Sequence, residues 1–285
     1  RALANEYAFR YTSALRSLQA ERGVNGFFGC ASHEDDGRVD WDWTLDGGVN
    51  WSRTSNIGGI WVGGSGDGTR PGVYVFAGTA GKVLISTFTG TGSTTSGRLK
   101  VSTDYGATFS DFDANTFLIL AEDIHCPFQD ESIAYHGRPV NGGGYTAYRL
   151  YKTVGGVATD ISPSDGAQSY GPINQFGVKT CDVDKNSVLC AVSNRDTGTV
   201  KYGVWLSRNA GLAWTNLISA DTGVLYRACA FAGNDPNTAW IWGANGAFAV
   251  SRNLNATVPT WKDLSGNLSS FTSPSVGRIL SIFGV

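Results

Sequence analysis

Methionine is absent from the 285 residues, which open on Arg1, so the sequence is expected to be a processed product, an excised domain or part of a longer chain. Charge is scarce too. Asp, Glu, Lys and Arg together make up 16% and leave a formal net charge of -2, with the lysines and arginines scattered along the chain. A nucleic-acid groove needs a basic stripe, so nucleic acid is not an expected partner. Long apolar runs are missing as well: pieces such as "TFLILA" fall far short of the roughly 20 residues that cross a bilayer as a helix, and no membrane insertion is expected. Cysteine occurs only at positions 30, 126, 181, 190 and 229. The odd count leaves at least one thiol unpaired, and without a Cys-x-x-Cys pair or a metal-specific His/Asp spacing neither a metal nor another cofactor is expected. Cys181 and Cys190 flank "DKNS" and read either as a disulfide across a hairpin or as two small buried thiols.

Glycine is abundant, at 38 residues, and aromatics reach 12%, a composition suited to strands and turns. One pattern recurs: hydroxyl, any, Asp, any, Gly, any, any, aromatic. "TLDGGVNW" (Thr44, Asp46, Gly48, Trp51) and "STDYGATF" (Ser102, Asp104, Gly106, Phe109) meet it in full. "SRNAGLAW" (Ser207, Asn209, Gly211, Trp214) puts Asn in the Asp place, and Ser251, Asn253, Asn255 and Trp261 repeat it with three extra residues before the aromatic. A worn copy, "KTVGGVAT", begins at Lys152 and keeps Gly156. The copies start at 44, 102, 152, 207 and 251. Steps of roughly 40 to 50 residues belong to propeller blades or helical solenoids. Alternating runs such as "RVDWDWT", "GRLKVS" and "YGVWLS" before each copy, with short strand-like pieces after, select hairpins.

The chemistry of the pattern is local. Asp or Asn accepts from nearby backbone N–H groups, Gly or Asn tolerates positive φ, and the hydroxyl bonds within the loop while the aromatic covers apolar surface. The pattern resembles the Asp-box, or BNR repeat, of sialidase-like and sortilin-like β-propellers, over roughly residues 25 to 285. The resemblance implies an all-β propeller in which each box forms the turn between the third and fourth strands of a blade. It also gives the box residues a structural role, on the rim away from the ligand face.

The expected architecture is about five four-stranded blades in residues 25–285, with "GRILSIFGV" as an inner strand that completes the first blade and closes the ring. Residues 1–24 stand apart. "RALANEYAFRYTSALRSLQAERG" has Leu3, Tyr7, Tyr11, Leu15 and Leu18 as one apolar stripe, which predicts a short amphipathic helix for docking or linkage.

Two segments concentrate titratable groups. "ASHEDDGRVDWD" carries His33, Glu34, Asp35, Asp36, Asp40 and Asp42; "AEDIHCPFQDESIAYHGR" carries Glu122, Asp123, His125, Asp130, Glu131 and His136. Glu34, Asp35, Asp36, Glu122, Asp123, Asp130 and Glu131 are the candidate carboxylates, because glycoside hydrolysis needs two acids facing across a cleft. Both segments also read as solvated turns. Trp41, Trp43 and Trp61 are the tryptophans least committed to the repeats and are candidate ligand-stacking rings, against core burial. Trp41 and Trp43 alternate with Asp40 and Asp42, so one pair faces each side of a strand. The arginine triad, early Arg-Ile-Pro motif and Tyr/Glu pair of sialidases have no match, and no catalytic residue carries over from them. The reading is a non-enzymatic binding or structural module of a secreted, cell-surface or virion assembly that recognises a glycan or a protein. A glycoside hydrolase is the alternative.

Overall fold

The computed structural model describes residues 15–20, 26–33, 39–57, 73–75, 79–89, 96–113, 122–142, 145–163, 173–195, 200–218, 226–232, 235–243 and 247–266. These form five sheets of four strands, each in sequence order. The first holds β1 (Leu15–Ala20), β2 (Phe28–His33), β3 (Val39–Thr44) and β4 (Ser52–Thr54). The second holds β5 (Val73–Val75), β6 (Val83–Thr89), β7 (Ser96–Ser102) and β8 (Ser110–Asp111). The third holds β9 (Glu122–His125), β10 (Ile133–Gly142), β11 (Tyr145–Val154) and β12 (Val157–Asp160). The fourth holds β13 (Ile173–Thr180), β14 (Val188–Arg195), β15 (Val200–Ser207) and β16 (Thr215–Ile218). The fifth holds β17 (Tyr226–Ala232), β18 (Asp235–Gly243), β19 (Phe248–Ser251) and β20 (Lys262–Asp263). The chain divides into two compact units, residues 1–124, 131–139 and 153–159, and residues 125–130, 140–152 and 160–285.

The N-terminal helix expectation is corrected where it can be checked. Residues 15–20 are a strand, with Leu18 opposite Cys30 and Ala20 opposite Phe28. Pairing with β2 supplies backbone partners that outweigh the helical spacing of Leu15 and Leu18, as tertiary context commonly does. Residues 1–14 and 21–24 of the expected helix lie outside the described residues. So does "GRILSIFGV", and the place it was expected to fill in the first sheet belongs to β1. The disulfide is absent: none of the five cysteines is bridged to another, and all five are buried. Cys190 lies opposite Val178 and Trp205 rather than Cys181, which the register of β13, β14 and β15 carries past the strand end.

Every copy of the repeated pattern joins the third strand of its sheet to the fourth. In the first copy the Thr44 hydroxyl donates to Asp46 Oδ1 (2.8 Å) and its oxygen accepts the Gly48 N–H (2.9 Å). Asp46 Oδ1 in turn accepts the Asn50 N–H at 2.9 Å. Ser102 and Asp104 repeat this with Gly106 and Thr108 (2.8 and 2.9 Å), and Ser207 and Asn209 with Gly211 and Ala213 (both 2.8 Å). In the long copy Asn253 Oδ1 reaches the Thr260 N–H at 3.0 Å. The clasped residue is thus always the one before the aromatic. One position into the turn, Gly47, Tyr105, Ala210 and Leu254 each donate to a carbonyl near the first hairpin of the same sheet, at Gly26, Gly81, Asn186 and Asn237. Both hairpins are thereby tied at one end. The worn copy lacks the hydroxyl and the acid, and turns on Gly155 and Gly156 at φ 57° and 81°, the left-handed pair of a two-residue hairpin loop.

The clasp makes stability depend on acid. Hydrogen bonds from the Asn50 backbone and side chain and from Thr44 hold the Asp46 carboxyl down at about 2. At Asp104, burial pushes upward but is outweighed by bonds from Thr108 and Ser102, and the carboxyl is again lowered. A carboxyl lowered on folding stabilises the native state above its unfolded value, about 3.9, and that contribution disappears as pH falls through the native value. The double substitution Asp46→Asn, Asp104→Asn, which copies Asn209, is expected to lower neutral-pH stability, because the ionised carboxylates no longer contribute, and to flatten its decline between about pH 4 and 2. Urea midpoints across that range test this; an unchanged decline would refute it.

Two apolar clusters form the described cores. In the first unit Phe27, Val39, Trp41 and Ile57 pack with Val83 and Ile85, against Trp43, Tyr105 and Phe109. In the second, Leu189, Ala191, Val204 and Leu206 of the fourth sheet pack with Cys229, Phe231, Ala239 and Ile241 of the fifth.

Candidate functional site

Each sheet has a box end, with its first and third hairpins, and an opposite end, with its second hairpin and the link to the next sheet. Glu34, Asp35 and Asp36 lie outside the described residues, as does Trp61. Glu122 and Asp123 open β9 at its opposite end. Asp130 and Glu131 do not join them, because they sit in the box-end turn between β9 and β10. Both are already engaged: Lys82 Nζ lies 3.2 Å from Glu131 Oε2, which also accepts from Thr79 Oγ1 at 2.6 Å, and Lys185 Nζ lies 3.3 Å from Asp130.

The Asp40–Trp43 run resolves in an unexpected way, since both faces of β3 are covered. Trp41 is fully buried, and its Nε1 donates to the Tyr105 carbonyl at 3.0 Å. Trp41 is therefore a core residue and offers no surface to a ligand. Trp43 is half-buried and stacks on Tyr105, with ring centroids 6.4 Å apart. On the other face Asp40 and Asp42 are buried beneath Arg53 of β4. Arg53 grips Asp42 through Nε (2.7 Å) and a terminal nitrogen (3.0 Å), and Asp40 lies 3.6 Å away. Asp40 also accepts the Asn56 N–H at 2.7 Å. The signal for Arg53 was its place two residues past the box aromatic, which sets it directly across from Asp42. Behind this pair, burial first and the Asp42 charge second push the Cys30 thiol up to about 12, with Arg53 pulling the other way.

The histidines are structural where their side chains are described. Thr153 donates to Asp113 Oδ2 at 3.2 Å, so its oxygen accepts from His136 Nε2 at 3.0 Å, and all three residues are buried. His125 Nδ1 accepts the Thr180 N–H at 3.2 Å. Among the described residues no group of three or more His, Cys, Asp or Glu is placed to hold a metal.

No family model matches the chain, and no curated protein matches it. Solved structures do. The GH74 enzyme of Niastella koreensis is 19% identical with a TM-score of 0.58, over 86% of this chain and 37% of that one. The GH74 xyloglucanase of Xanthomonas campestris is 14% identical at 0.52, over 86% and 46%. The α-L-arabinanase of Penicillium chrysogenum is 14% identical at 0.52, over 90% and 83%. The chain thus spans less than half the length of the two GH74 enzymes. These neighbours are β-propeller glycoside hydrolases, and at such identities the likeness is one of fold: nearly all β, in several small antiparallel sheets.

Proposed function

We propose that the chain is an Asp-box β-propeller, with the five described sheets as blades, that works as a non-enzymatic binding or structural module. It belongs to a secreted, cell-surface or virion assembly and recognises a glycan or a protein through loops at the end opposite the boxes. One observation carries the non-enzymatic part: Asp40, Asp42, Asp130 and Glu131, the acids of the two dense segments whose side chains are described, are all held by lysine or arginine. A hydrolytic pair needs one carboxyl free to donate a proton and another free to attack or to activate water.

The second reading, a glycoside hydrolase, draws on the fold shared with GH74 enzymes and the arabinanase. It would use Glu122 or Asp123 with Glu34, Asp35 or Asp36. The test is incubation with arabinan, xyloglucan and their oligosaccharides, with reducing-end release and retention in affinity gels measured together. Retention without release is expected. Release that Glu122→Gln or Asp123→Asn abolishes would sink the binding-module reading.

A further inference from the structure

Three asparagines meet the acceptor pattern for N-linked glycans, Asn-x-Ser/Thr: Asn50 ("NWS"), Asn255 ("NAT") and Asn267 ("NLS"). The pattern alone does not make a site, because transfer onto a folded chain needs the carboxamide and the hydroxyl both free on a surface loop. Asn267 lies outside the described residues. Asn50 fails the condition. Its Nδ2 donates to Asp46 Oδ2 at 2.7 Å and its backbone N–H to Asp46 Oδ1 at 2.9 Å. Ser52, the hydroxyl residue of the same pattern, opens β4 opposite Trp43. Transfer to Asn50 would first have to break the clasp.

Asn255 meets it. At the same place in the other clasped copies stand Gly48, Gly106 and Gly211, at φ 92°, 95° and 90°, with their N–H groups held by the leading hydroxyl at 2.9, 2.8 and 2.8 Å. The three extra residues of the copy at Ser251 release this place from the turn. There the Ser251 hydroxyl bonds to Asn253, and Asn253 Oδ1 closes the loop onto the N–H and hydroxyl of Thr260 at 3.0 and 3.2 Å. Leu254 anchors the stretch from below: it is buried, and its N–H donates to the Asn237 carbonyl at 3.0 Å. Asn255 and Thr257 are both exposed and take no part in the clasp. The acceptor pattern thus falls in the one part of the loop that the turn does not use. A bulky group there stands at the box end of the fifth sheet and leaves the loops of its opposite end clear.

We propose that Asn255 is an acceptor for an N-linked oligosaccharide and that Asn50, in the folded chain, is not. The inference rests on the secreted or cell-surface reading above. In the transfer the Asn255 carboxamide nitrogen attacks the anomeric carbon of a lipid-pyrophosphate-linked oligosaccharide. The C–N bond forms, the anomeric C–O bond breaks, the lipid pyrophosphate leaves and the nitrogen gives up one proton. The test is transfer in vitro to the folded full chain by a single-subunit oligosaccharyltransferase with its lipid-linked donor, beside an acceptor peptide that confirms turnover, read by glycopeptide mass spectrometry. Modification at Asn255 is expected, with complete loss in Asn255→Gln and in Thr257→Ala, and none at Asn50. A peptide of residues 46–54, free of the clasp, is expected to accept at Asn50. A bare Asn255, or equal transfer to Asn50 in the folded chain, would overturn the proposal, and a peptide that also refuses would overturn the argument from the clasp. A chain that accepts in vitro but is bare when isolated from its natural host would overturn the secretory route and leave the acceptor standing.

Discussion

Gly106→Ala is expected to destabilise the protein by about 3 kcal/mol or more, which is overpacking added to backbone strain. A Cβ built on Gly106 would fall 2.2 Å from Cδ1 and Nε1 of Trp41, and the residue sits at φ +95°. The indole has no room to yield. It is fully buried among Val39, Ile57, Val83 and Ile85, and its Nε1 donates to the carbonyl of the residue just before Gly106. Thr54 closes the other side, donating to the Gly106 carbonyl at 2.5 Å. Gly47 provides the control, since it lies at φ +71° with no atom within 4 Å of an added Cβ. Alanine there meets only the left-handed backbone penalty, about 1 to 2 kcal/mol. Urea unfolding of both variants separates the two terms. Equal losses would mean that the fit between Trp41 and the second box is not what stabilises this junction.

Arg53→Met comes next, at about 3 kcal/mol, the lower end of what removing one partner from a buried ion pair causes. Partial exposure of the Arg53 side chain places it at that end. The loss comes from stranding Asp40 and Asp42, both buried, without a cation. The triple variant Arg53→Met, Asp40→Asn, Asp42→Asn is therefore expected to recover much of the stability, since neutral amides need no counter-charge. Thermal unfolding at neutral pH distinguishes the cases. If the triple variant is no better than Arg53→Met alone, the arginine acts through packing of its stem.

The repeated turns were legible in the sequence because their bonds run between residues two and four apart. Thr44, Asp46 and Gly48 make the turn by themselves, so spacing alone exposes it. Strand runs were legible for the same local reason. β1 was not, since "LRSLQA" becomes a strand only through pairing with β2. At the candidate site, the charge density of the two segments was visible but not its distribution. Asp130 and Glu131 differ from Glu122 and Asp123 by a few residues of sequence, yet a strand and a turn carry them to the other end of the sheet.

The long copy at Ser251 shows what the clasp measures. Asn253 grips the residue before the aromatic across seven positions, where Asp46, Asp104 and Asn209 do so across four. The bond therefore registers the two ends of the loop and ignores its contents, and lengthening a closed loop adds only slowly to its entropic cost. Ala256, Thr257 and Val258 between them thus mark a graft point, where a foreign peptide can be displayed on this scaffold without disturbing the sheet beneath.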